Sequence, residues 1–295
     1  MNDNLRGATL MMGSMAAFTC NDATVKYLAQ GLPTFQVIFL RGCAATLLVA
    51  LLAHCTGAIR RGVPAGNWPL VLARSALEVV SFAPFILALT HLPLANVTAI
   101  LQALPLMITA ASAIFLGERV GWRRWTAILV GFVGVLLIVR PGAADFSAWS
   151  LLAVLATVTI TLRDLVTRRL SPEVPSLLVA VVAAAGVTLL GLALSLAQPW
   201  AAIGAGQGAL VLLASVFVMS GYLFSIMAMR VGEVAAVTPF RYTALVWGLL
   251  LGLAVFDEWP TPLTLAGAAL IAATGLYTLL REGRRAPAPR PVSPP

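Results

Sequence analysis

Charge is what this 295-residue sequence has least of: only 10% of its residues are Asp, Glu, Lys or Arg, against 60% hydrophobic. A soluble globular domain carries roughly 25% charged residues, so the charges here are too few to cover a water-facing surface. Cysteine is scarce and odd in number, three in all, and Cys20, Cys43 and Cys55 lie in or beside apolar stretches. With no Cys-x-x-Cys, and with His54 and His91 at no ligand spacing, neither a disulfide framework nor a structural metal is supported. No Gly-x-Ser-x-Gly, His-Glu-x-x-His or phosphate-loop pattern occurs, so no nucleophilic catalysis and no cofactor are expected. The first apolar stretch runs on towards Tyr27 without a small-x-small cleavage site, unlike a removable signal.

What is present is a succession of apolar runs broken by charge or turn clusters, such as Gly31-Leu-Pro33, Gly62-Val-Pro64, Pro141-Gly142, Ser171-Pro172 and Trp259-Pro260-Thr-Pro262. They predict membrane helices at 6–28, 34–54, 69–90, 94–116, 122–139, 147–169, 175–197, 208–230, 234–256 and 262–280. The net charge of +8 would invite a nucleic-acid partner in a soluble chain. Here the basic residues sort by topology instead. With the N-terminus inside, thirteen of the 19 fall in cytoplasmic segments and only Lys26 and Arg140 outside. That asymmetry supports both termini on the cytoplasmic side. Arg41, Arg74, Arg163 and Arg241 lie within spans. The tail from 284 to 295 is proline-rich, lacks apolar periodicity and reads as disordered.

Two marks recur about half a chain apart. Ile114-Phe-Leu-Gly-Glu118 is echoed by Ala254-Val-Phe-Asp-Glu258, and each precedes a glycine-punctuated helix. Asp22 and Lys26 are echoed by Asp164 and Arg168, again four residues apart. Five spans separate equivalent points, an odd number, so the halves are expected to be inverted repeats over 1–143 and 144–283. That architecture puts a solute site between the halves near the midplane.

Ten spans in five-plus-five repeats, with Leu116-Gly117-Glu118 closing the fourth and Phe256-Asp257-Glu258 closing the ninth, resemble the drug/metabolite transporter superfamily, EamA type, across residues 6–280. The fold class expected is therefore an all-α membrane protein of ten transmembrane helices. The resemblance implies a non-enzymatic exporter of amino acids or other metabolites in a bacterial inner membrane, closest in kind to YddG-type amino-acid exporters. It also implies a central cavity lined by helices 3, 4, 8 and 9. The expected partners are a small-molecule substrate and the lipid bilayer, with a proton as one candidate coupling ion and a monomer or homodimer as the assembly.

An ionisable side chain at membrane depth is costly and faces a cavity or a partner, which singles out the candidates. Glu78 precedes Ser81, Phe82 and Phe85 on one helical face; it could hold a substrate ammonium, carry a proton, or pair with Arg41 or Arg241. Arg241, inside Thr238-Pro239-Phe-Arg241-Tyr242, could take a carboxylate bidentately or snorkel to the interface. Thr98, Gln102 and Pro105 share a spacing in the fourth span, and Gln102 maps onto Tyr242 at an offset of 140. Those residues could line the cavity or bond between helices. Tyr222 belongs to an aromatic and methionine-rich stretch of the eighth span, and Trp247 is either a cavity wall or lipid-facing. Asn21, Asp22 and Lys26 read as a local ion pair or a gate, matched by Asp164 and Arg168 at the other end, with Arg41 paired to one of these carboxylates. Glu118 and Glu258 read as architectural, each favouring the start of the following helix. Gly248 and Gly252 read as close packing. The leading expectation is an exporter of small zwitterions, aromatic or other apolar amino acids or related metabolites, using Glu78 and Arg241; the alternative is an exporter of lipophilic cations or drugs using Glu78 and the aromatics.

Overall fold

The computed structural model describes residues 3–117, 120–143, 146–231 and 234–283. Glu118 and the tail from 284 lie outside the described residues. The helices are α1 (Asp3–Leu28), α2 (Thr34–Cys55), α3 (Trp68–His91), α4 (Leu94–Phe115), α5 (Trp122–Val139), α6 (Trp149–Thr167), α7 (Ser176–Ser195), α8 (Ala205–Val231), α9 (Thr238–Phe256) and α10 (Pro262–Gly283). No strand occurs among the described residues. Eight of these stretches are long and apolar enough to cross a membrane. The exceptions are α1, which carries Asp3, Arg6, Asp22 and Lys26, and α10, whose described side chains cover the shorter apolar stretch Pro262–Thr278.

The distribution of polarity is the reverse of a soluble bundle. Leu129 is 63% exposed and Leu189 64%, whereas Asn21, Lys26, Gln36 and Arg41 are buried. Water would penalise those exposed leucines, while hydrocarbon does not, and only a helix satisfies its own backbone there.

Packing between helices follows a pattern. α1 lies along α8 and α3 along α6, while α2 pairs with α7, α4 with α9 and α5 with α10. At the α5–α10 seam two glycines allow the backbones to meet: a methyl at Gly134 would sit 2.8 Å from the Gly267 carbonyl oxygen. At the α4–α9 seam a methyl on Gly248 would meet Thr98 Oγ1 at 2.8 Å, and Gly252 faces Leu94 and Glu258. The small-xxx-small spacing therefore serves close packing, as expected.

Both α4 and α9 are interrupted. α4 breaks at Gln102-Ala103, ahead of Pro105, which has no N–H to offer the Leu101 carbonyl. α9 begins as a 3₁₀ turn over Thr238–Tyr242 around Pro239. Each helix ends on a left-handed residue, Gly117 at φ 69° and Asp257 at φ 53°. Glycine enters that region freely, and aspartate is among the few side chains that tolerate it. The Asp for Gly exchange between the two motifs thus keeps one backbone shape.

Two expected contacts are replaced. Lys26 does not pair with Asp22: its Nζ donates to Glu258 Oε1 at 2.5 Å and to the Leu92 carbonyl at 2.5 Å, beneath the Phe256 ring. Glu258 Oε2 accepts the Leu94 N–H at 2.7 Å, so this carboxylate caps α4 rather than the helix that follows it. At the opposite end Asp164 takes the Arg163 guanidinium at 2.7 Å, and Arg168 donates to Ser112 Oγ at 3.0 Å.

Candidate functional site

A cavity of about 330 Å³ opens in the middle of the bundle. α1 contributes Phe18 and Asp22, α2 Arg41, α3 Arg74 through Phe85, α4 Thr98 through Pro105, α6 Arg163, α8 Tyr222 and α9 Arg241. A second void of about 360 Å³ shares Val49, Arg74, Ala180 and Tyr222 with it and reaches the loop between α6 and α7. At the other end the Lys26–Glu258 pair, with Leu92 and Leu94, ties α1 to the α3–α4 turn and the end of α9. The cavity thus adjoins a second void towards the α6–α7 end, and an ion pair ties the helices together at the α1–α2 end.

Of the residues singled out in the sequence, Glu78, Ser81, Phe82, Phe85, Thr98, Gln102, Tyr222 and Arg241 line this cavity together. Thr238, Tyr242 and Trp247 do not. The 3₁₀ turn sets the rotation of α9 so that Arg241 and Ala244, three apart, face inward. Tyr242, one residue on from Arg241, is then turned away by about 100° and packs on Gly275 of α10, where no side chain would fit. Trp247, partly buried, packs against the Met11, Met15 and Ala228 cluster and is not among the residues that line the cavity.

The charges pair differently from expectation as well. Glu78 meets neither Arg41 nor Arg241. Arg163 Nη1 donates to both Glu78 oxygens, at 3.0 and 3.1 Å, and Arg74 Nη2 approaches from one turn away at 3.2 Å. Arg163 also donates to Asp164 through Nε and Nη2, at 2.9 and 2.7 Å. Two arginines and two carboxylates therefore form one balanced network along α3 and α6. Its geometry comes from the tight α3–α6 packing and from the i,i+4 spacing of Arg74 and Glu78. Ser81 turns its hydroxyl back to the Glu78 carbonyl at 2.8 Å, and Thr98 does the same to Leu94 at 2.8 Å.

Outside that network three charges face the cavity. Arg41 is buried; its Nη1 donates to Asn21 Oδ1 at 2.7 Å, its guanidinium lies 5.7 Å from the Phe82 centroid, and its Nε has no partner. The direct partner is the Asn21 amide oxygen rather than the expected carboxylate, and Asp22, the next residue, acts on the guanidinium electrostatically without contact. Asp22 accepts Asn21 Nδ2 at 2.9 Å. Arg241 makes no hydrogen bond or ion pair among the described residues and is exposed to the void. Phe18 stands edge-on to Tyr222 at 5.3 Å, and Phe82 to Phe85 at 6.4 Å, so the wall between the charges is aromatic. Arg41, Arg74, Arg163, Asp22 and Phe18 were not selected from the sequence as binding residues. The available signal was that each charge among them sits at membrane depth.

No group of three or more His, Cys, Asp or Glu suited to a metal occurs among the described residues. A mainly apolar cavity with a few placed charges, at the centre of a helical membrane bundle, is the arrangement of a solute carrier. The comparisons agree. Residues 5–140 match the EamA-like transporter family. Along nearly its whole length the chain is similar to the S-adenosylmethionine uptake transporter of Rickettsia conorii, at 26% identity over 96% of each chain. It is similar to the pseudopaline exporter CntI of Pseudomonas aeruginosa at 27% identity, covering 89% of this chain and 92% of the relative. It is also similar to the riboflavin transporter of Vibrio cholerae, at 29% identity over 90% of each. A solved crystal structure, 20% identical, shares the fold at a TM-score of 0.64, covering 95% of this chain and 99% of that one. The first half of the chain is thus similar to EamA-like transporters, and nearly its whole length is similar to transporters.

Proposed function

We propose that this protein carries small amino-carboxylate solutes, α-amino acids or metabolites built like them, by alternating access around the central cavity. One observation carries the reading: Arg241 presents an unpaired guanidinium to a central cavity lined by aromatic side chains. Such a fork is matched to a carboxylate in bidentate geometry. Asp22, which lines the same cavity as Phe18 and Phe82, is the carboxylate available for the ammonium in the role first given to Glu78. The lipophilic-cation reading loses Glu78, whose carboxylate is already held by Arg163 and Arg74, and it leaves the open Arg241 guanidinium without a role.

The frame that moves is two five-helix halves, 1–143 and 144–283, in ten spans with both termini cytoplasmic. Three observations support it: the helix pairing α1–α8 with α3–α6, the interruptions of both α4 and α9, and the shared left-handed ends at Gly117 and Asp257. In that frame the membrane is a bacterial inner membrane and the void opens towards the cytoplasm. Relatives named for uptake and for export share the scaffold, so net export here follows from the gradient, with a proton as the candidate ion.

The test is counterflow in proteoliposomes preloaded with a panel of labelled amino acids and cationic dyes. Amino-carboxylates should exchange, and Arg241→Gln should abolish exchange without lowering the melting temperature. Exchange of dyes that survives Arg241→Gln, with no amino-carboxylate moving, would overturn the reading.

A further inference from the structure

Three formal charges in the cavity have no ion-pair partner within 4 Å among the described residues: Arg41, Arg241 and Asp22. The remaining lining charges, Arg74, Arg163 and Glu78, are balanced together with Asp164, which holds Arg163 from outside the lining. A solute that complements the open set carries two anionic groups and one cationic group.

From this we infer that the transported solute is an amino dicarboxylate, an α-amino acid or larger amino-carboxylate whose far end bears a second carboxylate, with a net charge of −1. The inference rests on the function proposed above and sharpens it. Arg41 is the residue that sets it apart from a simple zwitterion site. It is 7% exposed, and the partner of its Nη1 is the neutral amide oxygen of Asn21. Its Nε donor is unpaired. A permanent cation held at membrane depth by an amide and the face of Phe82 makes no direct ion pair, Asp22 acting on it only through space, and the cavity is where a contacting anion can arrive. Arg74, on the same wall, has an unpaired Nη1 as well. The two open arginines come from α2 and α9, so one carboxylate meets Arg241 and the other meets Arg41, with the hydrocarbon between them against Phe82, Phe85 and Tyr222.

Asn21 supplies the sharpest test. Asn21→Asp places an internal carboxylate on Arg41 Nη1, in the position the ligand's second carboxylate would neutralise, at almost no change in size. The probes are aspartate, glutamate and 2-aminoadipate, each against its side-chain amide, with affinity read from melting-temperature shifts and exchange from counterflow in proteoliposomes. For the native chain the acid should outbind its amide by about tenfold or more, the worth of one charge-assisted hydrogen bond. Asn21→Asp and Arg41→Gln should each erase that ratio and leave amide binding intact. Arg41→Lys should keep part of it, which separates charge from folding damage. Arg241→Gln should weaken acid and amide alike. Equal binding of acid and amide, or an acid preference that survives Asn21→Asp, would refute the second carboxylate while leaving amino-carboxylate transport standing. If no amino-carboxylate binds at all, both proposals fall together.

Discussion

Lys26→Met is the substitution that weighs the ion pair across the α1–α2 end. Lys26 Nζ is buried, its side chain 7% exposed, and it holds Glu258 Oε1 and the Leu92 carbonyl, each at 2.5 Å. Methionine keeps the volume and removes the charge, so packing is nearly conserved. Removing one partner of a buried ion pair costs about 3–5 kcal/mol. Glu258 is 21% exposed and keeps the Leu94 N–H at 2.7 Å, which puts the loss at the low end, about 3 kcal/mol. For a chain of this size that corresponds to a fall of roughly 6–10 °C in melting temperature, readable from the fluorescence of its seven tryptophans. The decisive step is the cycle with Glu258→Gln. If the two groups stabilise the closed end through each other, the double variant loses little more than the worse single one, with a coupling of about 2 kcal/mol. Strictly additive losses, with coupling below ~0.5 kcal/mol, would refute the reasoning.

Arg163→Gln removes the cation shared by Glu78 and Asp164; a loss of about 3–5 kcal/mol is expected, partly recovered by adding Glu78→Gln, and thermal melts of the three proteins check it. Tyr242→Phe deletes a buried hydroxyl that has no partner, so stability should stay level or rise by up to ~1 kcal/mol with counterflow unchanged; lost transport would show that Tyr242 does touch solute. Gly267→Leu drives a side chain into the Gly134 carbonyl across the α5–α10 seam, and backbone cannot step aside cheaply; a loss of more than ~3 kcal/mol is expected, seen as aggregation or a collapsed melting temperature.

Much of the frame was local and therefore legible. Apolar runs set where helices form, and Gly and Pro clusters set where they stop, because backbone satisfaction in hydrocarbon leaves a continuous apolar run no other option. The likeness of the two helix ends was legible too, since Gly117 and Asp257 each enter the left-handed region through local sterics. The candidate cavity face of α3, with Glu78, Ser81, Phe82 and Phe85, followed from helical spacing alone.

Which charges remain open was decided only by tertiary structure. Glu78 is the most conspicuous mid-span carboxylate in the sequence, yet packing of α3 on α6 surrounds it with Arg74 and Arg163. Asp22 looked committed to Lys26 at i+4, and instead Lys26 reaches across 232 residues of chain to Glu258. The 3₁₀ turn before Thr243 turns Arg241 inward and Tyr242 and Trp247 away. The sequence by itself determined which residues are charged at membrane depth. Whether each meets a partner or a solute depends on contacts between helices far apart in the chain, and only the packed bundle sets those distances.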